Sequence, residues 1–75
     1  MKYKSLKFNN EIIVNQKHIE KILLEHNFYW LVESEFENAE LEIVKKTIIW
    51  HNGIWYNGNW VYGIWKNGKK QFMKY

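Results

Sequence analysis

Residues 50–69 read WHNGI WYNGN WVYGI WKNGK, which is four copies of a five-residue unit, W-x-x-G-x. A glycine at the same place in every copy indicates a backbone bend at which a Cβ atom is not tolerated. An identical unit repeated along a chain predicts the same local structure in each copy. Each unit begins with one large ring and bends at one glycine: Trp50, Trp55, Trp60 and Trp65, with Gly53, Gly58, Gly63 and Gly68 as the structural turns.

The period of five limits what this stretch can form. Strand side chains alternate with a period of two, so a flat strand would send successive tryptophans to opposite faces. A glycine at every fifth residue would break a helix. Two structures remain. Either each unit bends and the chain coils into a short solenoid in which all the tryptophans share one environment, or the units pair as a meander of very short antiparallel strands joined at Asn-Gly turns.

The segments before the repeat carry ordinary local signals. Residues 2–8 and 11–14 predict a β-hairpin that turns at Asn9-Asn10, because asparagine tolerates positive φ. Asn15 is a good N-cap for a helix over residues 16–26, which has one apolar face and is the only helix we predict.

Aromatic and β-branched residues then predict a strand in FYWLVESEF, residues 28–36, and AELEIVKKTIIWH predicts a hairpin with its tip at Lys45-Lys46. The tail KKQFMKY predicts a final edge strand. Glutamates are expected on one face of each of two strands, where we interpret them as a solvated surface rather than a cation site: Glu33, Glu35 and Glu37, then Glu40 and Glu42.

The predicted fold class is therefore α+β, in a single domain over residues 1–75. An N-terminal β-hairpin and one helix pack on antiparallel strands, followed by a C-terminal Gly/Trp-repeat β-coil. Residues 1–33 form the hairpin-helix-strand part, and residues 34–75 form the β-rich repeat region.

Composition indicates how such a short chain is stabilised. There is no cysteine to form a disulfide or a thiolate metal site, while aromatic residues make up 19% of the chain, so large rings are expected to supply the core. Five glutamates lie within residues 33–42, and residues 43–75 carry six lysines and no acid. No apolar run approaches the roughly 20 residues of a membrane span. We therefore predict no membrane association and an intracellular location.

Candidate site residues come from the repeat alone. Exposed rings beside lysines would form a binding face, whereas buried rings would form the core, and we favour the core. The histidines at 18, 26 and 51 do not form a ligand set, and no serine lies in a nucleophile motif. We predict no catalytic residue, metal or cofactor. The candidate binding residues are Trp50, Trp55, Trp60, Trp65, Tyr56, Tyr62, Lys66 and Lys69.

The tract over about residues 36–68, with its entry Ile48-Ile49-Trp50, resembles W-x-x-G-x tracts of uncharacterised and virion-associated tailed-phage proteins. A weaker likeness to pentapeptide-repeat proteins rests on the order G-x-W-x-x and on SEFEN AELEI, residues 34–43. A partial likeness to the MORN repeat rests on Tyr56, Gly58, Trp60 and Gly63. The resemblance implies a phage or prophage protein, located in the cytoplasm of a bacterial host cell or in a virion.

The predicted function is non-catalytic protein–protein interaction. The protein would bind and inhibit a host or defence protein, or serve as a virion or assembly component, and self-association through the last coil is a further possibility. The alternatives are single-stranded nucleic-acid binding by Trp/Lys stacking and carbohydrate binding through exposed tryptophan.

Overall fold

The computed structural model describes residues 1–71, which form a small mixed α/β fold with two helices and one six-stranded sheet. Sheet neighbours follow the order β2-β1-β3-β4-β5, and β6 also pairs with β4. The elements in chain order are β1 Tyr3–Phe8, β2 Glu11–Ile13, α1 Gln16–Glu25, α2 Tyr29–Val32, β3 Glu35–Val44, β4 Thr47–Asn57, β5 Ile64–Trp65 and β6 Lys69–Lys70.

The N-terminal hairpin and the first helix are confirmed. Asn9 and Asn10 have φ of 50° and 62°, the left-handed conformation that a tight hairpin turn requires, and β1 pairs with β2 antiparallel. The Asn15 side chain accepts a hydrogen bond from the His18 backbone N–H at 2.9 Å and so caps α1. Asn27, with φ of 67°, ends the helix in a left-handed residue.

The predicted strand over residues 28–36 is wrong in its first part, where the chain forms a second helix, α2. The Val32 N–H donates to the Phe28 carbonyl at 3.2 Å, and Ser34 Oγ donates to the Trp30 carbonyl at 2.6 Å. Phe28 and Leu31 are both fully buried. Their spacing of three suits one helical turn, whereas the aromatic composition had suggested a strand.

The prediction of antiparallel strands holds for β1–β2 and β3–β4 but is wrong for β1–β3. These two strands run parallel, with Leu6 opposite Leu41. A parallel pair needs a long crossover, which β2 and the two helices supply. The N-terminal hairpin therefore belongs to the same sheet as the later strands, and β1 is an interior strand of that sheet.

The hairpin tip at Lys45-Lys46 is confirmed, with Lys45 in a left-handed conformation at φ 58°. The placement of the glutamates on two strands is wrong. Glu33 follows α2, and the other four lie along β3 alone. An extra residue near Asn38, φ 53°, shifts the β3–β4 register between Glu37 and Glu40. Such a bulge changes the side-chain phase, so acidic residues before and after it face solvent.

One hydrophobic core joins both parts of the chain. It lies between the helices and one side of the sheet, called here the core face. Its fully or nearly fully buried members come from β1, α1, α2, β3 and β4: Tyr3, Leu6, Ile19, Ile22, Leu23, Phe28, Leu31, Phe36, Ala39, Leu41, Ile43, Ile48, Trp50 and Trp55. The opposite side of the sheet is called the outer face.

Candidate binding site at the tryptophan repeat

The repeat returns on itself after three units. Strands β5 and β6 both pair with β4 in parallel, with Trp50 opposite Trp65 and Trp55 opposite Lys70. The Lys66 N–H donates to the Trp50 carbonyl at 2.8 Å, and the Gln71 N–H donates to the Trp55 carbonyl at 2.7 Å. Partners are thus 15 residues apart in both pairings. The meander of antiparallel repeat strands is therefore wrong for residues 47–71.

The four glycines share one backbone conformation. Their φ angles are 135°, 127°, 123° and 117° at Gly53, Gly58, Gly63 and Gly68, a region that L side chains rarely adopt. A Cβ on Gly53 would lie 2.9 Å from the Ala39 Cα, and one on Gly68 would lie 2.6 Å from the Gly53 carbonyl oxygen. Glycine is needed at these two positions both for the backbone angle and for the close approach of neighbouring backbone.

Small residues of β3 and of the segment before it face the glycines of the repeat. Gly53 packs against Ala39, and a Cβ on Gly58 would lie 2.6 Å from the Ser34 Cβ. Large residues of β3 face the tryptophans, with Leu41 opposite Trp50 and Phe36 opposite Trp55. The five-residue spacing visible in residues 34–43 is therefore the complement of the tryptophan repeat across an antiparallel hairpin.

The four repeat tryptophans form a single cluster. All six pairs of rings lie with centroids 4.7–6.3 Å apart, and Trp50 and Trp65 are stacked at 4.7 Å with planes 8° apart. Trp50 is 0% exposed and Trp55 is 4% exposed, while Trp60 and Trp65 are half-buried. Within residues 1–71 the Trp50 Nε1–H has no hydrogen-bond partner, so packing alone holds this ring.

The more accessible rings have few free faces. Trp50 covers one face of Trp65, and the Lys70 ammonium lies over the Trp65 ring, 5.5 Å from its centroid. Trp60 makes an edge contact with Trp30 at 5.1 Å as well as with the other repeat tryptophans. A base or sugar ring would have to displace one of these contacts in order to stack.

The other predicted binding residues lie outside this cluster. Tyr56 is half-buried on β4, and Lys66 and Lys69 are exposed. Tyr62 is 43% exposed and lies against Phe28 at 5.7 Å, between ring centroids. The structure therefore divides the predicted set into an inner group, the four tryptophans, and an outer group formed by Tyr56, Tyr62, Lys66 and Lys69.

Two further exposed apolar residues were missed by sequence reasoning. Val61 is 59% exposed and Ile64 is 48% exposed, on either side of Tyr62 and Gly63. A signal for Val61 was present, because the second position of the other units is occupied by His51, Tyr56 and Lys66. We call Val61, Tyr62 and Ile64 the apolar loop patch.

Beside this patch lies the open edge, which we define as the side of β5 and β6 that faces away from β4, over residues 64–70. Peptide groups along a strand point alternately to its two sides. Since Lys66 and Gln71 donate to β4, the N–H and C=O groups of Trp65 and Lys70 point away from it. Within residues 1–71 no strand pairs with this side. The open edge therefore presents two sets of peptide groups that are free to accept a further strand.

Polar and charged side chains on the outer face pair with one another. Lys4 Nζ lies 3.7 Å from Glu40 Oε1, and His51 Nε2 lies 2.7 Å from Glu42 Oε1. A groove of about 480 Å³ beside the bend at Gly53 is lined by Lys4, Glu40 and Lys69, among others. Over the described part of the chain no group of three or more His, Cys, Asp or Glu residues is placed to hold a metal ion.

Comparison with protein-family models, curated proteins and solved structures finds no match to this chain. Within residues 1–71, neither α1 nor α2 has the length and apolar character of a membrane-spanning helix.

Proposed function

We propose that this chain is a non-catalytic protein-interaction module built on one turn of a β-coil with three W-x-x-G-x units per turn. Three observations support the coil. The parallel pairings have a constant separation of 15 residues, the four glycines share one conformation, and the four tryptophans share one cluster. This is the geometry expected of a short solenoid, in which each repeat contacts its neighbours in the stack.

The observation that carries the binding proposal is the apolar loop patch. Val61, Tyr62 and Ile64 lie within four consecutive residues and are each more than two-fifths exposed. Isolated exposed apolar residues are ordinary, but three of them within one four-residue stretch beside the open edge favour a protein-contact surface. Tyrosine is also among the residues that contribute most to protein interfaces.

The proposed setting is a phage or prophage. There the protein would bind and inhibit a host or defence protein, or would act as a virion or assembly component. The support is the resemblance of the repeat tract, together with the separation of an acidic β3 from a basic C-terminal segment. In this proposal the tryptophans stabilise the scaffold, and the apolar loop patch contacts the partner.

A capture experiment with matched variants tests the binding proposal. The wild-type protein, the double variant Tyr62→Ser/Ile64→Asn and the control Val14→Ser are immobilised and exposed to a bacterial lysate. Val14 is exposed, as Tyr62 and Ile64 are, but it lies between β2 and α1, outside the repeat, and therefore serves as the control. We expect a protein that the wild type and the control retain and that the double variant loses. When this protein is purified, calorimetry must show that it binds the wild type and Val14→Ser more tightly than the double variant.

Two results would contradict the proposal. One is retention of the same proteins by all three immobilised forms. The other is quenching of tryptophan fluorescence by single-stranded oligonucleotides at low salt that disappears at high salt, which would favour the nucleic-acid alternative. The same titration with glycans tests carbohydrate binding.

The coil itself is tested by extension. Fifteen residues copied from the repeat and appended after residue 71 should add one further turn along the open edge. We expect the Trp65 and Lys70 amides to exchange freely in the parent protein and to become protected from hydrogen exchange in the extended one. An extension that leaves both amides unprotected would contradict the three-unit turn.

A further inference from the structure

The open edge offers a binding site for a particular kind of extended segment. It runs over residues 64–70, where β5 and β6 lie alongside β4 on either side of the bend at Gly68. The N–H and C=O groups of Trp65 and Lys70 point outward along it, as derived from the bonds that Lys66 and Gln71 donate to β4. An added strand would continue the ladder that already joins β5 and β6 to β4.

Side chains along the open edge define the chemistry of the added strand. Ile64 pairs with Ile49, and Lys69 pairs with Ile54, on the outer face. Lys66 follows Ile64 by two residues and therefore lies on the same face. Along the chain direction, the outer face of the open edge therefore presents one apolar side chain, Ile64, and then two cationic side chains, Lys66 and Lys69. Cross-strand neighbours favour an apolar residue beside Ile64 and acidic residues beside Lys66 and Lys69.

A second copy of this chain is a poor occupant of the same edge. Two copies related by a two-fold axis would bring Lys66, Lys69 and Lys70 of each near those of the other. Like charges across a strand pair are destabilising, and edge lysines discourage self-pairing. The charge that repels a second copy attracts an acidic strand, because residues 43–71 contain no acid.

We propose that the open edge binds one extended acidic segment of a protein partner by parallel strand addition. The segment carries an apolar residue opposite Ile64 and acidic residues two and five positions later. This inference rests on the proposed protein-binding function and specifies the chemistry of the partner. The apolar loop patch extends the contact beyond the end of the added strand.

Synthetic peptides test the inference on the full chain. The probe is a blocked peptide of about seven residues with valine first, glutamate third and sixth, and threonine elsewhere. One control peptide has lysine in place of both glutamates, and another is N-methylated at the amides that would face the edge. Binding is followed by amide hydrogen exchange and chemical shifts of Trp65 and Lys70, with Lys66 and Gln71 as internal references.

We expect the acidic peptide to protect the Trp65 and Lys70 amides and to bind at least about tenfold more tightly than the lysine peptide at low salt. The N-methylated peptide should not bind. The variant Lys66→Glu/Lys69→Glu should reverse the preference between the two charged peptides and keep the wild-type circular dichroism spectrum. The control Lys17→Glu, on α1, should leave the preference unchanged.

Three results would overturn strand addition. They are no protection of either amide by the acidic peptide, equal binding of the N-methylated peptide, and protection in peptide-free protein that rises with protein concentration. The last result would identify a second copy as the occupant. A captured partner that is lost with Tyr62→Ser/Ile64→Asn but retained by Lys66→Glu/Lys69→Glu would leave the proposed function standing while refuting strand addition.

Discussion

Two physical requirements select glycine at each repeat position, and both concern the Cβ atom that glycine lacks. The φ angles between 117° and 135° strain any residue with a Cβ, and neighbouring atoms occupy the place where that Cβ would lie. At Gly53 the obstacle is the backbone of β3, which cannot move without breaking the β3–β4 pairing. At Gly58 it is Ser34, whose Cβ would lie 2.6 Å away and whose Oγ is held by its hydrogen bond to the Trp30 carbonyl.

Gly53→Ala is therefore expected to be strongly destabilising. Backbone strain costs about 1–3 kcal/mol and overpacking costs about 1–3 kcal/mol more. The measurement is the free energy of unfolding from urea denaturation followed by circular dichroism. Asn59→Ala, at an exposed position in the segment between β4 and β5, should change it by less than about 0.5 kcal/mol. Equal effects of the two substitutions would contradict the packing described for Gly53.

Tyr3 is expected to make stability depend on alkaline pH. Burial, and then the Glu20 carboxylate 3.4 Å from the hydroxyl, raise the pKa of Tyr3 well above its ordinary value near 10. Its contribution to stability is complete below pH 10 and is lost as pH rises toward the folded-state pKa, because only the unfolded state releases the proton.

Comparison with Tyr3→Phe isolates this effect. Burial lowers the pKa of Lys2, which makes stability rise with pH below 10.5, but this contribution is common to both proteins. Above pH 10 the wild type should lose stability relative to Tyr3→Phe, with a slope that approaches about 1.4 kcal/mol per pH unit toward pH 12. If the unfolding free energies of the wild type and Tyr3→Phe keep a constant difference over this pH range, the hydroxyl is not buried in the folded protein.

At the scale of elements, the β3–β4 hairpin carries strain in its tip. Lys45 has φ of 58°, and a left-handed conformation costs a residue with a side chain about 1–2 kcal/mol. This hairpin positions both the acidic strand and the first two tryptophans, so its stability affects the whole repeat. The strain is local and can be relieved without changing any packed residue.

Lys45→Gly is expected to stabilise the protein by up to about 1 kcal/mol, after subtraction of the entropy that glycine loses on folding. The matched control is Lys46→Gly, where φ is not positive and glycine should cost about 0.5–1 kcal/mol. Thermal unfolding of the three proteins gives both differences. A lower melting temperature for Lys45→Gly would contradict the left-handed tip.

For the whole molecule, the continuous core predicts one cooperative unfolding transition. Helix α1 and strand β1 share their buried cluster with Trp50 and Trp55 of the repeat. Tryptophan fluorescence, which reports the repeat, and far-ultraviolet circular dichroism should therefore give the same midpoint. Ile19→Val, in α1, should lower the free energy of unfolding by about 0.5–1.5 kcal/mol and should shift both midpoints equally. Separate midpoints would show that the repeat unfolds independently.

Features that depend on a few neighbouring residues were predictable. Asn9-Asn10, Asn15 and the Lys45-Lys46 tip act through local backbone angles and caps, and all three are confirmed. Helix α2 was not predictable from its residues, because its aromatic and β-branched side chains favour a strand locally and only their burial selects a helical turn. The bulge at Asn38 is set by the strand that pairs with it.

The candidate site also has features that the local sequence predicts and features that it does not. Glycine spacing and the odd period of five determined that the chain must bend at each unit, and they left open whether the tryptophans would come together in a coil. Nothing in that period specifies that the third unit leads back to the first strand, since the 15-residue register depends on hydrogen bonds between Trp50 and Lys66 and between Trp55 and Gln71. The predicted binding rings are largely enclosed for the same reason.

The sequence by itself determined the local conformation of the repeat, because φ at a glycine and the size of a tryptophan ring act within a single unit. Only the tertiary structure decided how units stack, which small residues of β3 receive the glycines, and which side chains are left outside. Val61, Tyr62, Ile64 and the open edge are exposed because 15-residue pairing encloses the rings and leaves one side of β5 and β6 without a neighbour in residues 1–71.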